Sequence, residues 1–130
     1  MMKTLLAAVL LLGSLASNAA DVSGEWLVEG SFDAARVARG ARERADLVCT
    51  FAQRGGALSG TCRPPSGPDG APAAGSVRGA DVEWRFDIAL AADRKKETVV
   101  YRGRMDDDGM RIRGTFRIGG MGGRFSAERW

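Results

Sequence analysis

The sequence has 130 residues and no histidine, and its only asparagine, Asn18, lies in the amino-terminal stretch. Without imidazole the common zinc sites, Ser-His-Asp triads and Cys-His pairs are excluded. Any catalysis would rest on carboxylates, and these would have to share a pocket. Nearly every Asp and Glu instead falls on an outward strand face or in a turn, so no catalytic residues are assigned and a non-enzyme is expected. Long apolar runs are missing too. The longest, Leu5 to Leu12, is about eight residues, whereas a helix needs roughly 20 to cross a bilayer core. It follows Lys3 and precedes a small, uncharged stretch ending at Ala19 and Ala20. This is the three-part plan of a secretory signal peptide. Cleavage after Ala19 puts Ser17 and Ala19 at the small-residue positions, leaving a single domain over 20–130 in the periplasm or the medium.

Strong charge imbalance is also absent. The 19 basic residues include Lys3, so the mature domain holds 18 against 16 acidic ones, a net charge of +2. Basic residues are not clustered beside aromatics, as nucleic-acid binding favours. The series Arg36, Arg39, Arg42 and Arg44 is interspersed with Glu43 and Asp46 and reads as a solvated segment.

What is present is period-two alternation broken at short intervals by Gly, Pro and Asp. Val82, Trp84, Phe86, Ile88 and Leu90 share one face, with Glu83, Arg85 and Asp87 on the other. The same reading gives strands at about 22–32, 45–53, 58–63, 75–79, 82–90, 98–105, 110–117 and 124–129. Segments 33–44 and 63–75 read as a cover or short helix and as a Pro- and Gly-rich loop. The fold class is therefore all-β: an eight-stranded antiparallel meander, or up-and-down, barrel. Closure removes the exposed edges that an open sheet must protect. The expected interior holds Trp26, Phe51, Trp84, Phe86, Tyr101, Ile112, Phe116 and Phe125. An open two-sheet sandwich is the alternative. A membrane barrel is excluded because Arg102, Arg104, Arg111, Arg113 and Arg117 face outward. An apolar-x-Gly repeat, at Val22/Gly24, Leu58/Gly60, Val77/Gly79, Tyr101/Gly103 and Ile112/Gly114, predicts inward glycines that make room for bulky neighbours across the sheet.

The cysteine pair follows from register. If Gly55 and Gly56 make a two-residue turn, Cys49 falls opposite Cys62 in a non-hydrogen-bonded pair, about 4.5 Å apart at Cα, which a disulfide accepts. A redox or metal pair would lack a third ligand. Asp106, Asp107, Asp108 and Gly109 read as a turn ahead of a calcium loop, lacking spaced ligands. Residues 119–123, Gly-Gly-Met-Gly-Gly, read as a hairpin tip with Met121 as a contact residue. They lack the Lys and Ser or Thr of a phosphate loop.

Gly24-Glu25-Trp26 on the first strand and Arg129 near the end of the last resemble the pattern of the calycins, the superfamily of lipocalins, avidins and several small bacterial inhibitors. The resemblance spans the mature chain and implies structural roles for Trp26 and Arg129. The Trp would pack across the closed end of the barrel with the guanidinium lying over it, a cation-π contact. Biotin binding of the avidin kind is not implied, because Tyr101 is nearly the only polar inward group. The start Val22 to Trp26, with a Cys on the next strand, is similar to periplasmic metalloprotease inhibitors. The ending Gly123 to Arg129 resembles small exported bacterial domains without an established activity. The resulting expectation is a monomeric, non-catalytic binding module. Its first form is a carrier of a small apolar ligand against Trp84, Phe86 and Tyr101. The alternatives are an inhibitor of a secreted hydrolase, acting through Asp21 to Ser23 or 119–123, and a structural domain with a full core. No cofactor or metal is implied.

Overall fold

Alternating apolar and polar side chains call for a sheet with one covered face, and the edge strands of that sheet must be paired or protected. The computed structural model, which describes residues 19–33, 44–65, 67, 69–89 and 96–130, meets that demand by closure. Its strands are β1 (Gly24–Phe32), β2 (Arg44–Arg54), β3 (Ala57–Arg63), β4 (Ala71–Arg78), β5 (Asp81–Ala89), β6 (Lys96–Met105), β7 (Arg111–Ile118) and β8 (Met121–Arg129). Each pairs with the next in sequence, and β8 returns to β1 with Trp26 opposite Arg129 and Gly30 opposite Phe125. The result is a closed, eight-stranded antiparallel up-and-down barrel, not a sandwich. No helix among the described residues is long and apolar enough to cross a membrane. The signal segment, apart from Ala19, lies outside the described residues, as do Leu90, Arg36, Arg39 and Arg42.

Inside, large side chains face small ones across the sheet. Phe51 is opposite Gly60, Trp84 opposite Gly75, Phe86 opposite Ala73, Phe116 opposite Gly123, and Phe125 opposite both Gly114 and Gly30. The pairing explains where the sequence expectations were too short. Strand β4 starts at Ala71 within the segment read as loop, and Pro72 takes its place opposite Thr61. Its inward residues Ala73 and Gly75 had to be small because Phe86 and Trp84 fill the space beside them, so the strand carries little apolar alternation. Strand β8 likewise begins at Met121, leaving Gly119 and Gly120 as the turn. Two expected inward glycines are elsewhere. Gly79, with φ of 60°, makes the β4–β5 turn, and Gly24, with φ of 115°, opens β1. Met110, read as the first inward residue of the seventh strand, is exposed in the turn before β7.

Cys49 and Cys62 are directly opposed on β2 and β3 and joined by a disulfide, with Cα atoms 4.1 Å apart. The bond fits an oxidising compartment. In the chain-entropy treatment, a loop of 13 residues contributes about 3 kcal/mol.

The strands approach so closely at the small residues that a side chain has nowhere to go. A Cβ at Gly60 would stand 1.8 Å from the Thr50 carbonyl oxygen, whereas one at Gly120 would meet nothing within 4 Å. Gly60→Ala is therefore expected to lower unfolding free energy by about 2 kcal/mol or more, with Gly120→Ala within about 0.5 kcal/mol of the parent. Urea denaturation of both variants checks this, and equal losses would contradict the packing described.

Candidate functional site

Three regions bear on function: the end of the barrel closed by the amino-terminal segment, the interior, and the outer wall of β6 to β8. At the closed end, residues 19–23 cross the mouth formed by the turns 55–56, 79–80 and 106–109. Val22 is fully buried. Polar groups on either side satisfy the segment's backbone. The Ala20 amide donates to the Gly79 carbonyl at 2.8 Å. The Gln53 side chain accepts from the Val22 amide at 2.7 Å and donates to the carbonyls of Ala20 and Gly55 at 2.8 and 2.9 Å.

Arg129, half-buried on β8, binds three carbonyls at once: Gly109 through Nε at 2.9 Å, and Ser23 and Asp21 through its terminal nitrogens at 2.8 and 2.5 Å. Its guanidinium carbon lies 4.4 Å from the centroid of the Trp26 ring, and the indole N–H of Trp26 donates to the Val22 carbonyl at 2.9 Å. Only a planar fork with several donors can serve these acceptors while stacking on a ring. The Asp21 carboxylate accepts from the Ser23 amide at 3.0 Å; that bond, the Ser23 hydroxyl and the nearby Arg129 charge hold its pKa below the ordinary carboxylate value. Asp21 to Ser23, considered above as an inhibitory arm, is thus tied to the barrel by the side chains of Gln53 and Arg129.

The interior brings Trp84, Phe86 and Tyr101 together, as the aromatic-wall expectation required, but against other rings. Trp84 stacks on Tyr101 at 5.0 Å between centroids and meets Phe51 and Phe125 edge-on, each at 5.3 Å. Tyr101 in turn packs on Phe86, Phe116 and Phe125 at 6.0, 5.4 and 5.1 Å. Trp84 is 0% exposed, Tyr101 1% and Phe86 5%. Among the described residues no water-sized space touches the Trp84 ring. Among the described residues the indole N–H of Trp84 has no hydrogen-bond partner, a cost that apolar packing must offset. Burial pushes the phenol of Tyr101 well above its ordinary pKa.

On the outer wall, sequence reading placed Arg102, Arg104, Arg111, Arg113 and Arg117 outward, and all are exposed except Arg111, which is half-exposed. It missed that cross-strand register gathers several of them, with Arg124, around one residue. Thr115 is opposite Arg102 on β6 and Arg124 on β8. The signal was available in principle, since hairpin turns fix register, but it needed two registers combined. The turn after β6 closes with the Gly109 amide on the Asp106 carbonyl at 2.9 Å and the Met110 amide on the Asp108 carboxylate at 3.0 Å. Among the described residues no group of His, Cys, Asp or Glu is placed to hold a metal ion. The opposite end of the barrel carries the turn at Gly119 and Gly120, and residues 34–43 and 90–95 lie outside the described residues.

No protein-family model matches the sequence, and no curated protein is similar to it. The fold class, a closed eight-stranded meander barrel with a plugged end, is what the structure itself defines.

Two expectations follow from these contacts. Tyr101 is the only tyrosine. Its raised folded-state pKa means that the stability it contributes is fully present below about pH 10, the unfolded value, and is lost as pH rises toward the folded one. Phenolate absorbance in an alkaline titration should therefore appear together with loss of the folded circular-dichroism signal. Ionisation near pH 10 in folded protein would show that the ring reaches solvent. Arg129→Lys, which keeps the charge but loses the fork, should cost about 2 kcal/mol in urea denaturation, with Arg124→Lys near neutral.

Proposed function

We propose that the chain is an exported, non-catalytic binding module that meets its partner with its outer surface and does not enclose a ligand. The observation that carries this reading is the complete burial of Trp84 beneath the rings of Tyr101, Phe51 and Phe125. A carrier barrel needs open space against its aromatic wall, because small-molecule pockets bury most of the ligand surface. Here the protein's own side chains occupy that position. The export reading is supported by the amino-terminal stretch and by the disulfide, which persists only under oxidising conditions. A calycin relationship is supported by the meander barrel and by the stack of Arg129 on the Trp26 of the first strand.

An inhibitor of a secreted hydrolase remains within this class, but its contact residues belong on the outer wall or on the end opposite the plug. The Asp21 to Ser23 segment is engaged by Arg129 and Gln53, and an arm so engaged would have to break those bonds to enter another protein's cleft.

Native mass spectrometry of the protein purified from its own host tests the proposal. The expected result is a chain beginning at Ala20, two hydrogens lighter than its reduced form, alone or with a stoichiometric macromolecular partner. A small apolar molecule that co-purifies and alters tryptophan fluorescence would overturn it.

A further inference from the structure

The mature domain's small net charge conceals an uneven surface. Along the outward face of β7, Arg113 and Arg117 stand two residues to either side of Thr115; across the sheet Thr115 faces Arg102 and Arg124. Directly opposed Cβ atoms lie about 5 Å apart, and same-face neighbours along a strand about 7 Å apart. An arginine stem spans such distances, so four guanidinium groups can converge above the Thr115 hydroxyl. All five side chains are exposed.

Most carboxylates of this wall lie at its margins; the exception is Asp33, whose carboxylate stands over Gly122 beside the stem of Arg117. Glu83 is 3.4 Å from Arg102, Asp81 pairs with Arg104, and Glu128 pairs with Arg111. Among the described residues Arg113, Arg117 and Arg124 form no ion pair with a carboxylate. Arg104 and Arg113 are moreover directly opposed, an arrangement of like charges that destabilises a sheet. A wall selected only for stability would place a carboxylate at one of these positions.

We propose that Arg102, Arg113, Arg117 and Arg124, arrayed around Thr115 on the outer wall of β6, β7 and β8, bind a phosphate ester group of the partner. The site is built of arginine, whose planar fork binds phosphate in bidentate fashion. A carboxylate presents two oxygens and saturates with two forks, whereas a terminal phosphate presents three and can accept more, with the Thr115 hydroxyl as a further donor. No aromatic side chain lies on the outward face of these three strands to stack on a base or a sugar ring, so recognition falls on the phosphate itself. The inference rests on the outer-surface reading but is tested separately. A co-purifying apolar ligand would remove that reading whatever phosphate does, and failure of phosphate binding would leave it to the loops.

The test uses the mature chain at low ionic strength with two probes. One is inorganic pyrophosphate, followed by amide chemical shifts. The other is vesicles of phosphatidylglycerol with phosphatidylcholine, followed by co-sedimentation. Pyrophosphate should shift amides around Thr115, with an affinity that falls steeply as salt is added. Arg117→Gln with Arg124→Gln should weaken binding about tenfold or more; Arg54→Gln with Arg78→Gln, which removes the same charge from β2 and β4, should change it less than about twofold. Co-sedimentation lost in the first pair assigns the phosphate to a lipid headgroup, and pyrophosphate binding without co-sedimentation assigns it to a soluble ester. Arg113→Gln should weaken binding while keeping or raising the urea midpoint, opposite signs that a structural role would not produce. Absence of binding to both probes, or equal losses in the two double variants, would overturn the proposal.

Discussion

The width of a closed eight-stranded barrel is the constraint on which the rest of this structure depends. Strand number fixes the bore at about what side chains can fill, and this chain fills it with rings: Phe51, Trp84, Phe86, Tyr101, Phe116 and Phe125, in mutual contact. Tyr101 stacks between Trp84 and Phe116, and the other rings fit because a strand facing each one carries a glycine or alanine there. These glycines and alanines stand at 30, 60, 73, 75, 114 and 123. The disulfide acts in the same region, joining β2 to β3 next to the Phe51/Gly60 pair.

Closing the wall leaves two ends, and they are treated differently. The end with the short turns is sealed by residues 19–23, whose amides and carbonyls could not enter the barrel mouth without partners. Gln53 and Arg129 supply those partners, and Trp26 provides the floor on which the guanidinium lies. Arg129 is thus shared by the amino-terminal segment, the turn at Gly109 and the first strand, and links three parts of the chain distant in sequence. The other end carries the turn at Gly119 and Gly120 between β7 and β8.

The strand pattern was legible wherever inward residues are large. Val82, Trp84 and Phe86 alternate with Glu83 and Arg85, and β5 could be read directly; Cys49 opposite Cys62 followed from counting back from Gly55 and Gly56. Legibility failed where the same packing rule demanded small residues. Ala71 to Gly75 and Gly122 to Gly123 look like loop because alanine, proline and glycine carry no hydrophobic amplitude, yet they are strand because a ring lies opposite. The aromatic trio Trp84, Phe86 and Tyr101 was also legible as a group, but whether it walls a pocket or fills a core is a three-dimensional property. It depends on Phe51 and Phe125 reaching the same space from β2 and β8. The arginines around Thr115 were visible as outward residues one strand at a time, and their convergence only with the registers on both sides of β7.

A full interior shifts the question of function from volume to surface. Core positions in such a barrel are held by packing, since a ring and the residue facing it must change together. The outward positions are free of that coupling, and surface substitutions generally alter stability little. Against this background a costly surface choice is informative. Arg104 is held by Asp81 across the sheet, so directly opposing Arg104 with Arg113 gives up stability that a carboxylate at 113 would recover. Proteins retain such arrangements where function requires them, and on this molecule the cost falls on the wall where three arginines form no ion pair with a carboxylate among the described residues.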